Sequence, residues 1–287
     1  MQDDSPLVDV HWLASRLHQE DLVVLDGSFF LPGQGIDPES AFVSAHIPGS
    51  LFFDIDQIAD QASSLPHMLP SAEVFALAVQ QMGIGPDTEV VVYDQNVFMA
   101  SARVWWMFRC FGHERVRVLD GGLARWQQCG LPVVAGQVPP PVQATGPVFS
   151  AGQPGSDLVW DLAMIRQWVA AGGQVVDARS PGRFLGQEPE PRPGVRSGSM
   201  PGSFNVHFRT LVRDDTHEML PCEHVLALFA SAGVDVARPL VASCGTGVTA
   251  CTLALALYRC GFRQVPVYDG SWSEWGGLKD TPVVSAA

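Results

Sequence analysis

The sequence predicts an α/β protein built as two parallel-sheet domains in tandem, and three observations carry that prediction. Short runs of Val and Leu alternate with helical patterns and show no polar alternation, as strands do when helices cover both faces of a parallel sheet. Four features of the first half recur in the same order in the second, the mark of an internal repeat. Between the copies runs GQVPPPVQATGPVFSAGQPGS, residues 136–156, rich in Pro, Gly and Gln with little apolar periodicity, as expected of an extended linker. The expected division is a domain at 1–135, the linker, and a second domain at 157–287. A chain of 287 residues is near the size at which one core gives way to two.

Each copy has a strand ending in aspartate, LVVLDGSFF at Asp26 and QVVDARSPGRF at Asp177. A turn of small residues follows, HIPGSLFFDI from His46 and SMPGSFNVHF from Ser199. Next, an apolar strand enters a loop and a helix, VVVYDQNVFMASARVWWMFRCFG and PLVASCGTGVTACTLALALYRCG. A final strand turns into a tryptophan helix, VRVLDGGLARW and VPVYDGSWSEW. The intervals between partners agree to within a few residues. At the loops the copies diverge: the second has Cys244-Gly245-Thr246-Gly247-Val248-Thr249, whereas the first offers Asp94-Gln95-Asn96-Val97-Phe98-Met99, with Gln95 expected opposite Cys244. Only the second copy has a nucleophile there.

Hydrophobic residues make up 47% of the chain and charged residues 16%, which excludes a disordered chain. The net charge is −13, Lys279 is the only lysine, and no basic run tracks phosphates, so nucleic acid is not an expected partner. An acidic molecule repels anions, so an anionic substrate needs local arginines. The segment MQDDSPLVDVHWL has neither the basic nor the apolar region of a secretion signal, and no apolar run reaches membrane-spanning length. The expectation is a cytosolic protein without membrane contact. Six cysteines without a CxxC pair suggest neither a disulfide framework nor a zinc site.

Cys244 is the reactive candidate. It stands at the carboxyl end of a strand and before a strongly helical run, where open α/β sheets bind ligands. Backbone N–H groups of such a loop, together with the helix dipole, stabilise a thiolate or persulfide without a side-chain cation. A phosphatase loop would close with an arginine six residues on to grip phosphate, but that position is Ala250. Cys110, Cys129, Cys222, Cys251 and Cys260 read as packing residues rather than redox switches.

The loop CGTGVTA, together with HIPG, DGG, DGSW and the tandem arrangement, resembles the rhodanese superfamily. Within it the loop is similar to that of the 3-mercaptopyruvate sulfurtransferases, usually CGSGVTA. Thiosulfate sulfurtransferases, the alternative, typically carry basic residues where this chain has Gly245 and Thr246. A non-catalytic sulfur-carrier or binding module is the alternative from another class. The resemblance implies a Cys244 persulfide, loaded from 3-mercaptopyruvate with release of pyruvate and discharged to a small thiol, thioredoxin or cyanide, with no cofactor and no metal. It implies that Arg183 and Arg192, nine positions apart, grip the keto acid with the loop residues Gly245, Gly247, Val248 and Thr249. It further implies that Asp56, His67 and Thr246 form a proton relay, with Thr246 where the family usually has serine. Arg179 is expected to hold its loop together, and Asp54 or Asp56 has a helix cap as its plainer role.

Overall fold

The computed structural model describes residues 5–31, 33–97, 100–136, 149–155 and 157–285. The first four residues, Phe98 and Met99 of the first copy's loop, and 137–148 and 156 of the expected linker lie outside these. The chain forms two compact units. One comprises Met1–Gln61, Leu69–Pro154 and Arg213–Met219; the other comprises Ala62–Met68, Gly155–Val212 and Leu220–Ala287.

The first unit runs β1 (Leu7–Val8), α1 (Val10–Ala14), β2 (Leu22–Asp26), α2 (Pro38–Ser44), β3 (Leu51–Phe52), α3 (Ala72–Gln81), β4 (Glu89–Tyr93), α4 (Ser101–Cys110), β5 (Val116–Leu119) and α5 (Gly122–Gln128). Its five strands pair in parallel in the order β1-β5-β4-β2-β3. Val24, Val91, Tyr93 and Trp126 are buried in the core on one face. Phe75 anchors a second cluster, stacking on Phe111 at 4.4 Å and meeting Phe108 edge-on at 5.1 Å. The end of the Pro/Gly-rich stretch joins this cluster. Phe149 is buried with its ring 6.1 Å from that of Phe75, and the Gly152 N–H donates to the Phe111 carbonyl. An aromatic side chain gains too much from burial to stay in water as part of a free spacer.

The second unit repeats the plan with β6 (Val159–Trp160), α6 (Leu162–Ala170), β7 (Gln174–Asp177), α7 (Pro181–Phe184), β8 (Phe204–Asn205), α8 (Cys222–Ser231), β9 (Leu240–Ser243), α9 (Ala250–Arg259), β10 (Val267–Tyr268) and α10 (Ser271–Trp275). Its strands pair in parallel as β6-β10-β9-β7-β8, the same order as in the first sheet. Local chemistry sets the helix starts: Asp161 caps α6 by accepting from the Met164 N–H, and Ser180 caps α7, with Pro181 in its first turn. Ala250 to Leu257 are buried on every side of α9, as an all-round apolar helix requires.

Register corrects one alignment. Asp26 pairs with Tyr93 and Asp177 with Ser243, so the residue opposite Cys244 is Asp94, not Gln95. Comparing the loop segments alone hid the one-residue offset, which the strand pairs fix. Asp94 accepts from the Ser101 N–H at the start of α4. Gln95 reaches back to the Asp26 carboxylate and the Ala45 carbonyl.

Two histidines couple stability to pH. Burial, against hydrogen bonds to backbone carbonyls, holds His113 of the first unit below the ordinary histidine value of 6.5. Burial and then the Arg209 charge do the same to His207 of the second, with Glu188 opposing. The unfolded chain then binds more protons than the folded one as pH falls through 6.5, so stability is lost on acidification. Melting temperature should fall from pH 7.5 to pH 5.5, and His113→Gln should flatten that slope, as thermal scans across the range would measure.

Candidate active site

The site candidate grows from the middle of the second sheet. From β7 the chain turns to β8 on one side, whereas β9 leads to β10 on the other. The carboxyl ends of β7 and β9 are thus the two lips of the topological switch point, the crevice where open α/β sheets bind ligands. Asp177 and Ser243 pair there as neighbours. The segment after Asp177 carries Arg179 and, in α7, Arg183, and the loop after Ser243 begins with Cys244. Sheet order alone makes them adjacent.

Cys244 is 1% exposed. Its N–H donates to Ser271 Oγ at 3.1 Å, and Ser271 Oγ donates to the Tyr268 carbonyl at 2.8 Å. The Cys244 carbonyl accepts from the Trp272 N–H, and the Gly245 carbonyl accepts from both the N–H and the hydroxyl of Ser273. The first turn of α10 therefore grips the outer side of the loop. Among the described residues, none accepts a hydrogen bond from the N–H groups of Gly245, Thr246, Gly247, Val248 or Thr249. Those donors stand at the start of α9, where the helix dipole adds positive potential. Gly247 has φ 76°, the left-handed backbone that lets the loop turn back into the helix. The Cys251 thiol donates to its carbonyl.

Gly245 serves a different need, which is space. A Cβ there would lie 3.0 Å from Arg183 Nη2. Arg183 itself sends Nε and Nη2 to the two oxygens of Glu190, at 3.2 and 2.5 Å. The pairing of a loop arginine with a loop glutamate therefore occurs, and it presents the guanidinium to the cysteine loop. Glu188 instead accepts from the Ser180 hydroxyl. Arg192 is half-buried in the same loop.

Arg179 holds this loop, as expected. Its side chain is 1% exposed and makes a forked pair with Asp177, a bond to Glu190 at 2.8 Å and another to the Gly198 carbonyl. Burial alone would lower its affinity for a proton; the charges of Asp177 and then Glu190 outweigh it and raise that affinity. The ring of Trp272 lies against the guanidinium at 4.3 Å.

The expected relay residues are distributed between the units. Thr246 is buried in the loop, and His67, buried with a left-handed φ of 60°, counts with the second unit. Asp56 is exposed and belongs to the first. Asp54 accepts from the N–H groups of Asp56 and Gln57, closing a turn rather than capping a helix.

Sequence reasoning missed Ser271. Its φ is 48°, in the left-handed region, where the first copy has Gly122 at φ 56°. A serine in a place that its own repeat fills with glycine was the available signal, since a strained non-glycine residue is retained only when its surroundings or its function require it.

Comparison with known proteins agrees with this fold. The Rhodanese-like domain model matches twice, at residues 9–129 and 161–278. A thiosulfate/3-mercaptopyruvate sulfurtransferase from Arabidopsis thaliana is 42% identical over 98% of this chain and 78% of its own length. The 3-mercaptopyruvate sulfurtransferase of Homo sapiens is 43% identical over 94% of this chain and 91% of its own. The crystal structure of SseA from Escherichia coli, described with the rhodanese fold and catalytic mechanism of 3-mercaptopyruvate sulfotransferases, superposes with a TM-score of 0.83 at 34% identity. It covers 93% of this chain and 99% of that one. With two matched domains, a repeated five-stranded sheet and a cysteine loop in the second copy, the chain belongs to the rhodanese family.

Proposed function

We propose that the chain is a sulfurtransferase that takes sulfur from 3-mercaptopyruvate onto Cys244 and passes it to a nucleophilic acceptor. The observation that carries this reading is the loop itself: a buried cysteine, five backbone N–H groups with no protein acceptor among the described residues, and no charged side chain between Cys244 and α9. Backbone dipoles suffice for a persulfide anion. Thiosulfate, a dianion, would gain more from cations in the loop, which Gly245 and Thr246 do not supply.

In the first half-reaction the Cys244 thiolate attacks the donor sulfur. The carbon–sulfur bond breaks, and its electron pair moves into the adjacent ketone as an enolate. The donor's thiol proton ends on that carbon, so pyruvate leaves and the persulfide anion stays on Cys244. Arg183, with Arg192, holds the carboxylate and the enolate oxygen. Gly245, Gly247, Val248 and Thr249 supply the N–H cradle, and Thr246, His67 and Asp56 carry the proton. In the second half-reaction a small thiol, reduced thioredoxin or cyanide takes the outer sulfur, giving ping-pong kinetics. We place the reaction in the cytoplasm, whose reducing conditions keep such a cysteine as a thiol.

Turnover with 3-mercaptopyruvate should exceed turnover with thiosulfate when both are measured against a Cys244→Ser blank. A preference for thiosulfate would move the chain to the other branch of the family. Mass spectrometry after donor exposure should find one added sulfur on Cys244; its absence would favour a non-catalytic binding module.

Replacing Arg183 or Arg192 with glutamine should lower kcat/KM for the donor by about ten- to a hundredfold, the worth of a lost charge-assisted bond, mainly through KM. Discharge of preformed persulfide should change less. Ser271→Ala leaves the Cys244 N–H without its acceptor, so kcat should fall by roughly tenfold with KM nearly constant. Steady-state kinetics on the purified variants read both.

A further inference from the structure

The carboxylate of Glu190 is shared by two guanidiniums. Its Oε1 accepts from Arg179 Nη1 at 2.8 Å and from Arg183 Nε at 3.2 Å, and its Oε2 accepts from Arg183 Nη2 at 2.5 Å. The Glu190 side chain is 4% exposed, against 20% for Arg183. Arg179 also has Asp177 as a partner, so the four side chains, two cations and two anions, together carry no net charge. Arg183 keeps donors beyond this pairing. Among the described residues no group accepts from its Nη1. Where a Gly245 Cβ would stand, Nη2 is 3.0 Å away and Nη1 3.7 Å, so these nitrogens lie beside the residue that follows Cys244.

We infer that Glu190 is a specificity-determining residue of the donor site: by neutralising Arg183 it selects a singly charged donor over a doubly charged one. The inference rests on the reading of Arg183 as a donor-binding residue given above. A ligand's interaction with fixed charges scales with its own charge. With its thiol protonated, 3-mercaptopyruvate brings one negative charge, on the carboxylate; thiosulfate brings two. Repulsion from Glu190 therefore opposes thiosulfate twice as strongly. So little of the carboxylate reaches solvent that water and salt screen it weakly. Hydrogen-bond geometry acts in the same direction. Glu190 occupies the Nε and one Nη2 N–H, and the terminal N–H groups left over match the two oxygens of a single carboxylate. Arg179 anchors Glu190 from behind, so turning Glu190 away from Arg183 would leave Arg179 Nη1 without its acceptor. The uncharged Gly245 and Thr246 merely fail to attract a dianion, whereas Glu190 rejects it.

The test is donor selectivity in the full-length chain: the ratio of kcat/KM for thiosulfate to that for 3-mercaptopyruvate, with cyanide as acceptor and Cys244→Ser as the blank. Glu190→Gln keeps the size and one acceptor oxygen but removes the charge, and the ratio should rise about tenfold. Glu190→Asp keeps the charge and shortens the reach, so it should slow both donors while the ratio stays within about twofold of the parent's. Both donors are measured on one preparation, so a partly unfolded sample lowers both rates and leaves the ratio alone. Should Glu190→Gln not fold, Glu190→Ser, neutral and small enough for water to reach Arg179, supplies the same comparison. An unchanged ratio in the neutral variant, or equal shifts in the neutral and aspartate variants, would overturn the inference and leave Glu190 a purely structural part. Arg183→Gln separates this from the reading beneath it. An unchanged KM for both donors in that variant would remove Arg183 from the donor site itself, whereas a raised KM there with an unchanged ratio in Glu190→Gln overturns the selectivity role alone.

Discussion

A cation that water scarcely reaches organises the second domain. Arg179 is held between Asp177 at the end of β7 and Glu190 in the following loop, with Trp272 against its face. Isolated in a low-dielectric interior, the guanidinium would be strongly unfavourable; with two carboxylates and a carbonyl around it, all but one of its N–H groups have a partner. Removing either acid leaves a buried N–H of the guanidinium without its acceptor, a loss of about 1–3 kcal/mol. The arrangement therefore fixes the loop's path, and Glu190, immobilised by Arg179, in turn aims Arg183 at Gly245. Substrate-facing geometry here depends on an ion pair that faces no substrate.

The first copy shows what remains when that arrangement is absent. At the residue pseudo-equivalent to Arg179 it has Ser28, and its strand-end carboxylate, Asp26, is satisfied by the Ser28 N–H and by Gln95. Burial then raises the Asp26 pKa, with the hydrogen bonds only partly offsetting it. Asp94 stands in the cysteine's place and is turned toward the helix behind it. Gly122 fills the left-handed position that Ser271 holds in the second copy; a Cβ there would come 2.4 Å from the Asp94 carbonyl. One sheet plan thus supports two ends of different character, one closed on itself and one with backbone donors to spare.

Strand ends, helix starts and the cysteine loop were legible because they are local: apolar runs, a proline after a capping serine, glycines at a turn. Arg179's structural part was legible for the same reason, lying between two acids within a short segment. Ser271 was not, because its role depends on a backbone angle and on a loop reached only through the β9–β10 pairing. The one-residue offset that puts Asp94 opposite Cys244 needed the sheet register, since loops of unlike composition carry no alignment signal. The relay is the part least legible in local sequence, since Asp56 lies in one unit while His67 and Thr246 count with the other.

The helix α9 backs the cysteine loop of the second domain. Its amino end supplies the cradle around Cys244 and its carboxyl end carries Cys260. Buried from Ala250 to Leu257, it has no solvated face on which to bend or slide, and close-packed interiors transmit displacement rather than absorb it. The loop is therefore held from two sides, by a helix with no room to withdraw and by the bonds that Ser271 and Ser273 of α10 make to Cys244 and Gly245.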